Sequence, residues 1–314
     1  MNWIRKIDLE RFGPVLALVV LFAVSAVTSE YFLQTKNLLN ILRQVSYTGI
    51  IALGMTFVVI GGGIDLSVGS LTALAGGVSI LALNHFGGGA GALVLAVATA
   101  ILVGLAGGAV NGLIVTVGRV APFIATLGTM AIYRSLTLYI ANAGEYRSSS
   151  ELYAAMGMGS FLGVPIPVWV FLVITALFAL VLTSTPFGRY VCAVGSNERV
   201  AAYSAISVNS IRFTTYAMVG LTAGVSAVLL SSRMNSMSSS GGGLNYELDA
   251  IAAVIIGGTS LAGGRGSIVG TLIGAVILGI VNNMLNMWDV SPYLQGMVKG
   301  AVIIGAVLIQ RKRR

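Results

Sequence analysis

Residues 186–211 read PFGRYVCAVGSNERVAAYSAISVNSI, a polar and basic interruption between two apolar runs, Pro165 to Ser184 and Phe213 to Leu230. Each run is long enough to cross the roughly 30 Å of bilayer hydrocarbon. Only 9% of the chain is charged, yet Arg189, Glu198, Arg199 and Arg212 gather between these two runs. Between two membrane crossings, such a segment is expected at the membrane surface, in contact with something soluble.

Working outward, the composition agrees. Of 314 residues 56% are hydrophobic, and 18 Lys and Arg stand against 10 Asp and Glu. A soluble domain of this size needs about a quarter of its residues charged. The 41 glycines suit closely approaching helices and broken helical segments. The net charge of +8 is no nucleic-acid footprint, because the basic residues sit at the edges of apolar runs. The expected fold class is therefore an all-α polytopic membrane protein forming one transmembrane domain over residues 1–314. Pro14–Ser29 has no small-residue cleavage site and another apolar span follows it, so no cleavable signal is expected.

Hydropathy places about ten spans, near 14–29, 45–62, 67–84, 91–117, 122–140, 165–184, 213–231, 248–263, 268–287 and 293–310. The glycine-rich segments 60–70 and 257–267 are candidates for re-entrant turns. Arg5, Lys6 and Arg11 precede the first span, and Arg311, Lys312, Arg313 and Arg314 end the chain. By the positive-inside rule both termini, Arg119, the 186–211 segment and Arg265 are cytoplasmic, and Ala141–Val164 lies outside. Lys36, Arg43 and Arg233 run against this tally.

An internal echo points to a two-part build. Ile60-Gly61-Gly62 precedes Ser67-Val68-Gly69-Ser70-Leu71, and Ile256-Gly257-Gly258 precedes Ser267-Ile268-Val269-Gly270-Thr271-Leu272. Asn111 before Pro122 is matched by Asn282 before Pro292, although the two echoes differ in spacing by one span. Gly104, Gly108 and Gly112 form one four-residue row and Gly266, Gly270 and Gly274 another. Such rows let a neighbouring helix approach closely.

Chemistry by this chain itself is excluded by its residues. None of Lys6, Lys36, Lys299 and Lys312 stands in a phosphate-binding Gly-x-x-x-x-Gly-Lys loop. One histidine, His85, and one cysteine, Cys192, allow neither a zinc site nor an internal disulfide. The expectation is a non-catalytic subunit that binds no metal or cofactor.

Polar residues within apolar spans are expensive and mark function or capping. Asp65 follows three glycines and is placed to cap the next helix. Glu247 and Asp249 open the run Ala250–Gly257 and read likewise as caps. Ser67, Asn111, Thr126, Asn282 and Asn283, with Asp65 itself, are the candidate lining of a polar pathway. No cation sits mid-span apart from Arg134 near an edge, which favours a neutral polyol over an anion.

These residues converge on a family. Ala52-Leu53-Gly54-Met55-Thr56 runs into Gly62-Gly63-Ile64-Asp65-Leu66-Ser67-Val68-Gly69-Ser70. Then come Pro122-Phe123-Ile124-Ala125-Thr126-Leu127 and Gly188-Arg189-Tyr190 with Ala193-Val194-Gly195-Ser196-Asn197. Tyr246-Glu247-Leu248-Asp249-Ala250-Ile251-Ala252-Ala253-Val254 leads on through Gly257 to Gly264. Over nearly its whole length the chain resembles the membrane permease of bacterial ribose-, xylose- and galactoside-type sugar ABC importers. Branched-chain amino-acid permeases are more distant in plan, and autoinducer-2 permeases are near.

The resemblance implies a permease that pairs with a second permease chain, identical or not, in the bacterial inner membrane. A cytoplasmic ABC ATPase subunit carrying ATP and magnesium binds beneath, and a periplasmic sugar-binding protein docks above. Segment 186–211 is then similar to the coupling segment that seats on the ATPase through Arg189, Gly195, Ser196, Asn197, Glu198, Arg199 and Ala202. Its residues agree, with a small-residue turn Gly195-Ser196-Asn197 leading into a short helix over Glu198–Ile206. The implied cargo is a monosaccharide, a ribose-like pentose or a hexose. The alternatives are autoinducer-2 or another small polar solute, or a secondary transporter, for which Asp65 alone is thin support.

Overall fold

An almost unbroken apolar run from Ile50 to Ile60, every residue of it buried, makes one helix the axis of the molecule. The computed structural model describes residues 9–311. Arg5, Lys6, Lys312, Arg313 and Arg314, part of the charge argument for the two ends, lie outside the described residues. The chain begins α1 (Leu9–Thr28), α2 (Thr35–Ile60), α3 (Val68–His85), α4 (Ala90–Thr116) and α5 (Pro122–Ile140). It continues β1 (Glu145–Arg147), α6 (Glu151–Met158), β2 (Ser160–Phe161), β3 (Val164–Pro165), α7 (Ile166–Ser184), α8 (Pro186–Ser196) and α9 (Glu198–Tyr203). It closes α10 (Val208–Met234), β4 (Ser236–Ser238), α11 (Tyr246–Ile256), α12 (Ile268–Met287) and α13 (Pro292–Arg311).

Helix α2 is the axis, with α10, α12, α11 and α7 packed around it. It starts ten residues before the expected 45–62 span, at Thr35. Hydropathy misses that first part because Asn37, Asn40 and Arg43 face protein, where an average over the whole circumference sees only their polarity.

Among the described residues seven helices, α2, α3, α4, α5, α7, α10 and α12, are long and apolar enough to cross a membrane. The expected 248–263 span is corrected. Helix α11 has 11 residues, about 16 Å at 1.5 Å per residue and near half a hydrocarbon core. It stops because Gly257 and Gly258 (φ 88°) turn the chain, and residues 257–267 run without helix into Ser267. The segment 61–67 between α2 and α3 is likewise non-helical, with Gly62 at φ 80°. The all-α expectation needs a small amendment. Strand β1 pairs antiparallel with β4, Tyr146 opposite Met237, and β2 pairs with β3. These two ribbons and α6 occupy one end of the bundle, and α8 and α9 occupy the other.

The echo of Ile-Gly-Gly is local. In both copies a glycine at positive φ follows a helix end, and Ser67 or Ser267 starts the next helix. Asn111, however, lies on α4, one helix later than Asn282 on α12, so α4 has no counterpart in the second copy.

Small-residue rows explain how the helices close together. A Cβ on Gly104 or Gly108 would strike the backbone of Gly220, and one on Gly112 would strike Phe213. Helices α4 and α10 thus run antiparallel with their backbones in contact. Gly270 and Gly274 press in the same way on the carbonyls of Gly257 and Ala253.

Gly108→Leu forces α4 from α10 and should cost about 1–3 kcal/mol. The thermal midpoint in detergent, followed by size exclusion, should fall clearly below wild type. Gly128→Ala, where a new Cβ meets nothing within 4 Å, should leave the midpoint in place.

Candidate functional site

Two arrangements stand out, one inside the bundle and one at the α8–α9 end. Inside, the break between α2 and α3 is held by three polar residues that are all 0% exposed: Asp65, Ser67 and Asn111. Asp65 Oδ1 accepts from the Ser67 backbone N–H at 2.8 Å and from its hydroxyl at 2.7 Å. Asn111 Nδ2, reaching from α4, donates to Asp65 Oδ2 at 3.0 Å and to Ser67 Oγ at 2.8 Å. The Tyr216 hydroxyl of α10 donates to the Ile64 carbonyl at 3.2 Å. The Ser67 N–H and the Ile64 carbonyl, outside any helix, are thereby satisfied inside the bundle, as a low-dielectric setting requires.

Asp65 differs from the expected cap. The residue in the N-cap position of α3 is Ser67, and the Asp65 carboxylate closes a turn onto that residue two positions on. Its second oxygen reaches across to another helix. The Asn111 carbonyl oxygen has no partner.

Glu247 and Asp249 occupy the first turn of α11, whose N-cap position is Asn245. The Glu247 carboxylate lies over Gly69 in the first turn of α3, where a Cβ would collide with it and with the Gly243 carbonyl. The start of α3, which follows the first break, and the start of α11, which leads to the second, therefore meet. Asp249 is not held by free N–H groups but by Lys299 of α13, at 3.0 Å. Arg134 donates to the Ser239 carbonyl at 2.9 Å.

The remaining pathway candidates disperse. Thr126 is buried on α5, and its hydroxyl donates to the Pro122 carbonyl at 2.9 Å. Asn283 and Asn37 exchange amide hydrogen bonds of 2.8 and 3.3 Å between α12 and α2. Asn282 keeps a buried carbonyl oxygen without a partner.

At the other end, Thr185 accepts from Gly188 N and Asn197 from Val200 N, capping α8 and α9. The expected turn at Gly195-Ser196-Asn197 is thus the last turn of one helix plus the cap of the next. Helix α9 ends at Tyr203, short of the expected Ile206, because the chain turns at Ala205 (φ 61°). Glu198 pairs with Arg212 at 2.8 Å and ties α9 to α10. Asn197, Glu198, Arg199, Ala202 and Val208 line an open cleft of about 760 Å³. Arg189, Ser196, Arg199 and Ala202 are exposed. Beside them Val200 is 57% and Tyr203 88% exposed, an apolar pair that composition alone did not single out.

Gly195 faces inward instead. A Cβ there would strike the Ile60 carbonyl and the Gly264 N–H, and Gly264 N donates to Ile60 O at 2.8 Å. The end of α2, the turn after α11 and the end of α8 are one joint.

Sequence reasoning also missed Arg43 and Arg233. They oppose the loop-charge tally because they are not loop residues. Arg43 lies within α2, and Arg233, in the last turn of α10, stands over the Tyr47 ring at 5.7 Å.

The Asp65 knot gives a test. Asn at 65 keeps the oxygen that Ser67 uses, and the Asn111 amide can turn its unpartnered oxygen toward the new NH2. Asp65→Asn should therefore fold like wild type. Asn111→Leu strands a buried carboxylate oxygen and should cost about 1–3 kcal/mol, read as a lowered thermal midpoint and yield.

Residues 37–307 match the family model described as branched-chain amino acid transport system / permease component. The chain is 43% identical over 307 residues to the ribose import permease protein of Bacillus subtilis (strain 168), covering 97% of this chain and 94% of that one. It is 46% identical over 303 residues to the ribose import permease protein of Escherichia coli (strain K12), covering 95% and 93%. To the D-allose transport system permease protein of the same strain it is 36% identical, covering 96% and 92%. The chain belongs to the family of branched-chain amino acid transport system permease components, a multi-pass membrane family that includes these sugar permeases.

Proposed function

We propose that this chain is the permease subunit of an ATP-driven importer that moves a monosaccharide, ribose or a near relative, across the bacterial inner membrane. The observation that carries it is near-full-length identity of 40–46% with ribose import permease proteins. In this reading α1, α11 and α13 join the seven long helices, giving about ten crossings with α11 as a half-length one. Both ends of the chain and the α8–α9 end face the cytoplasm, and the ribbon end faces the periplasm.

ATP and magnesium belong to a partner ATPase seated on α8 and α9, while this chain carries no catalytic group. A sugar-binding protein docks at the ribbon end, and a second permease chain completes the pathway. Supporting the ATPase seat are the exposed Arg189, Arg199, Val200, Ala202 and Tyr203, basic residues interleaved with apolar ones beside an open cleft. Gly195 transmits rather than touches, through its contact with Ile60 and Gly264. Asp65, Ser67 and Asn111 act as the clamp on the broken segment, and Asn282, with a free oxygen, is the candidate that faces the cargo path.

The direct test is uptake of radiolabelled ribose, xylose, arabinose, allose and galactose by proteoliposomes holding the permease, its cognate ATPase and its binding protein. Ribose uptake requiring ATP is expected; uptake of none of these sugars would sink the reading. Replacing Val200 and Tyr203 together by Asp should lower co-purification of the ATPase while the thermal midpoint of the permease stays unchanged.

Orientation can be read from Cys192 on α8, whose thiol is pushed up by burial. Its reactive thiolate grows as pH rises, so an impermeant maleimide should label faster at pH 8.5 than at pH 7. Labelling is expected in inside-out vesicles of the permease alone and not in right-side-out ones; the reverse would invert the topology.

A further inference from the structure

Residues 239–245, SSGGGLN, join β4 to α11 and lead far below the ribbon end to which β4 belongs. Helix α3 gives the scale. Its Asn84 donates to the Arg147 carbonyl of β1 at 2.8 Å. Its Gly69 lies backbone to backbone with Gly243, and neither leaves room for a Cβ on the other. Gly69 stands fifteen positions before Asn84, about 22 Å at 1.5 Å per residue, against a hydrocarbon core of about 30 Å. The chain therefore descends from the ribbon end to membrane depth without helix, and only there starts α11.

This stretch is open. Ser240, Gly241, Leu244 and Asn245 are exposed. Among the described residues no hydrogen bond engages the backbone N–H of Ser240 or Asn245, or the carbonyls of Ser240, Gly242 and Leu244. Lipid cannot cover such a surface, because irregular backbone at membrane depth is tolerated only where protein buries it or water fills the space beside it. The faces suited to lipid look different: α4 exposes Leu102 and Leu113, and α7 exposes Val173, Leu177 and Leu180.

Charge marks the same place. Arg134, about 18 Å into α5, donates to the Ser239 carbonyl at the start of the loop. Lys299 of α13 reaches Asp249, just past its end. Ionisable side chains at this depth face a bundle interior or water, and Arg134, Glu247 and Asp249 are only half-buried. Loop and flanks thus form one polar strip, tied to α5 at one end and to α13 at the other.

We propose that Ser240, Gly241, Leu244 and Asn245 line the water-filled path of the cargo at membrane depth, the second permease chain supplying the opposite wall; this rests on the sugar-import reading above. Free N–H groups, free carbonyls, the Ser240 hydroxyl and the Asn245 amide present donors and acceptors without net charge. That is the chemistry a neutral polyol needs while it sheds part of its water. Helix α11 starts from this loop and leads into the turn that holds Gly264, so one helix separates the wall of the path from the contact with Ile60.

The test places Leu244→Cys in a Cys192→Ser background, beside Val173→Cys on α7 and Leu102→Cys on α4. The importer is held in lipid nanodiscs, open on both faces, and treated with a charged methanethiosulfonate. The reagent needs a thiolate, which forms in water and not in hydrocarbon. Leu244→Cys should react at least about tenfold faster than either control. In proteoliposomes the labelled Leu244→Cys importer should take up sugar about tenfold more slowly than the same importer before labelling, with ATPase co-purification unchanged. Ser240→Cys, with a small exposed side chain replaced, carries the same comparison where Leu244→Cys lowers the thermal midpoint. Reaction no faster than at the two controls overturns the proposal. Fast reaction with undiminished uptake overturns it too, and makes the loop the wall of a wet crevice beside the path. No uptake of any sugar by wild type removes the import reading, a result that leaves the labelling rates as they stand.

Discussion

Where α2 ends, the carbonyl of Ile60 accepts the N–H of Gly264 at 2.8 Å, and Gly195 closes on both with no room for a Cβ. Three distant parts of the chain meet at this point. One is the axial helix at its buried end, one is the turn that follows α11, and one is α8 at the exposed end of the bundle. Each carries a separate part of the molecule. Helix α2 leads directly into the break that Asp65 holds, and Gly264 lies within the second break, between α11 and α12. A displacement of α8 therefore reaches both breaks through backbone contact, with no flexible side chain between to absorb it.

The rest of the architecture follows from the cost of unsatisfied backbone in a low-dielectric setting. Non-helical residues 61–67 survive inside the bundle because the last carbonyls of α2 take the N–H groups of Gly61, Gly62 and Gly63, Asp65 takes that of Ser67, and Tyr216 donates to the Ile64 carbonyl. Glycine supplies the other half of the solution. At Gly104, Gly108 and Gly220 it brings two helix backbones into contact, so the polar knot is walled by main chain rather than by loosely packed side chains.

Much of this was legible in the residues. The apolar runs located the long helices because a spanning helix needs a nearly continuous apolar stretch. The small-residue rows identified close backbone contacts at Gly104, Gly108, Gly112, Gly270 and Gly274, whereas Gly266 lies before α12 against the side chains of Ile60 and Thr259. The polar interruption at 186–211 marked the short exposed helices α8 and α9. What stayed hidden depended on which way a side chain turns. The first ten residues of α2 and the short α11 escaped a hydropathy average, since buried polar residues and a glycine-stopped half-helix look alike to it. Asp65 read as a cap, and only the fold brings Asn111 of α4 to its second oxygen, 46 positions along the chain. Arg43 and Arg233 ran against the loop-charge tally, and only the fold sets both on helices, with Arg233 over the Tyr47 ring. Gly195 and Ala202 read as one surface, whereas one points into the joint and the other into solvent.

The central claim is that α8 drives the two breaks through the Ile60 joint. Gly195→Ala tests it most directly, because one methyl group enters the joint and the exposed face of α9 is left alone. In the reconstituted importer, sugar delivered per ATP hydrolysed should fall about tenfold while the ATPase remains bound and active. A wild-type ratio of sugar to ATP in that variant would contradict the account.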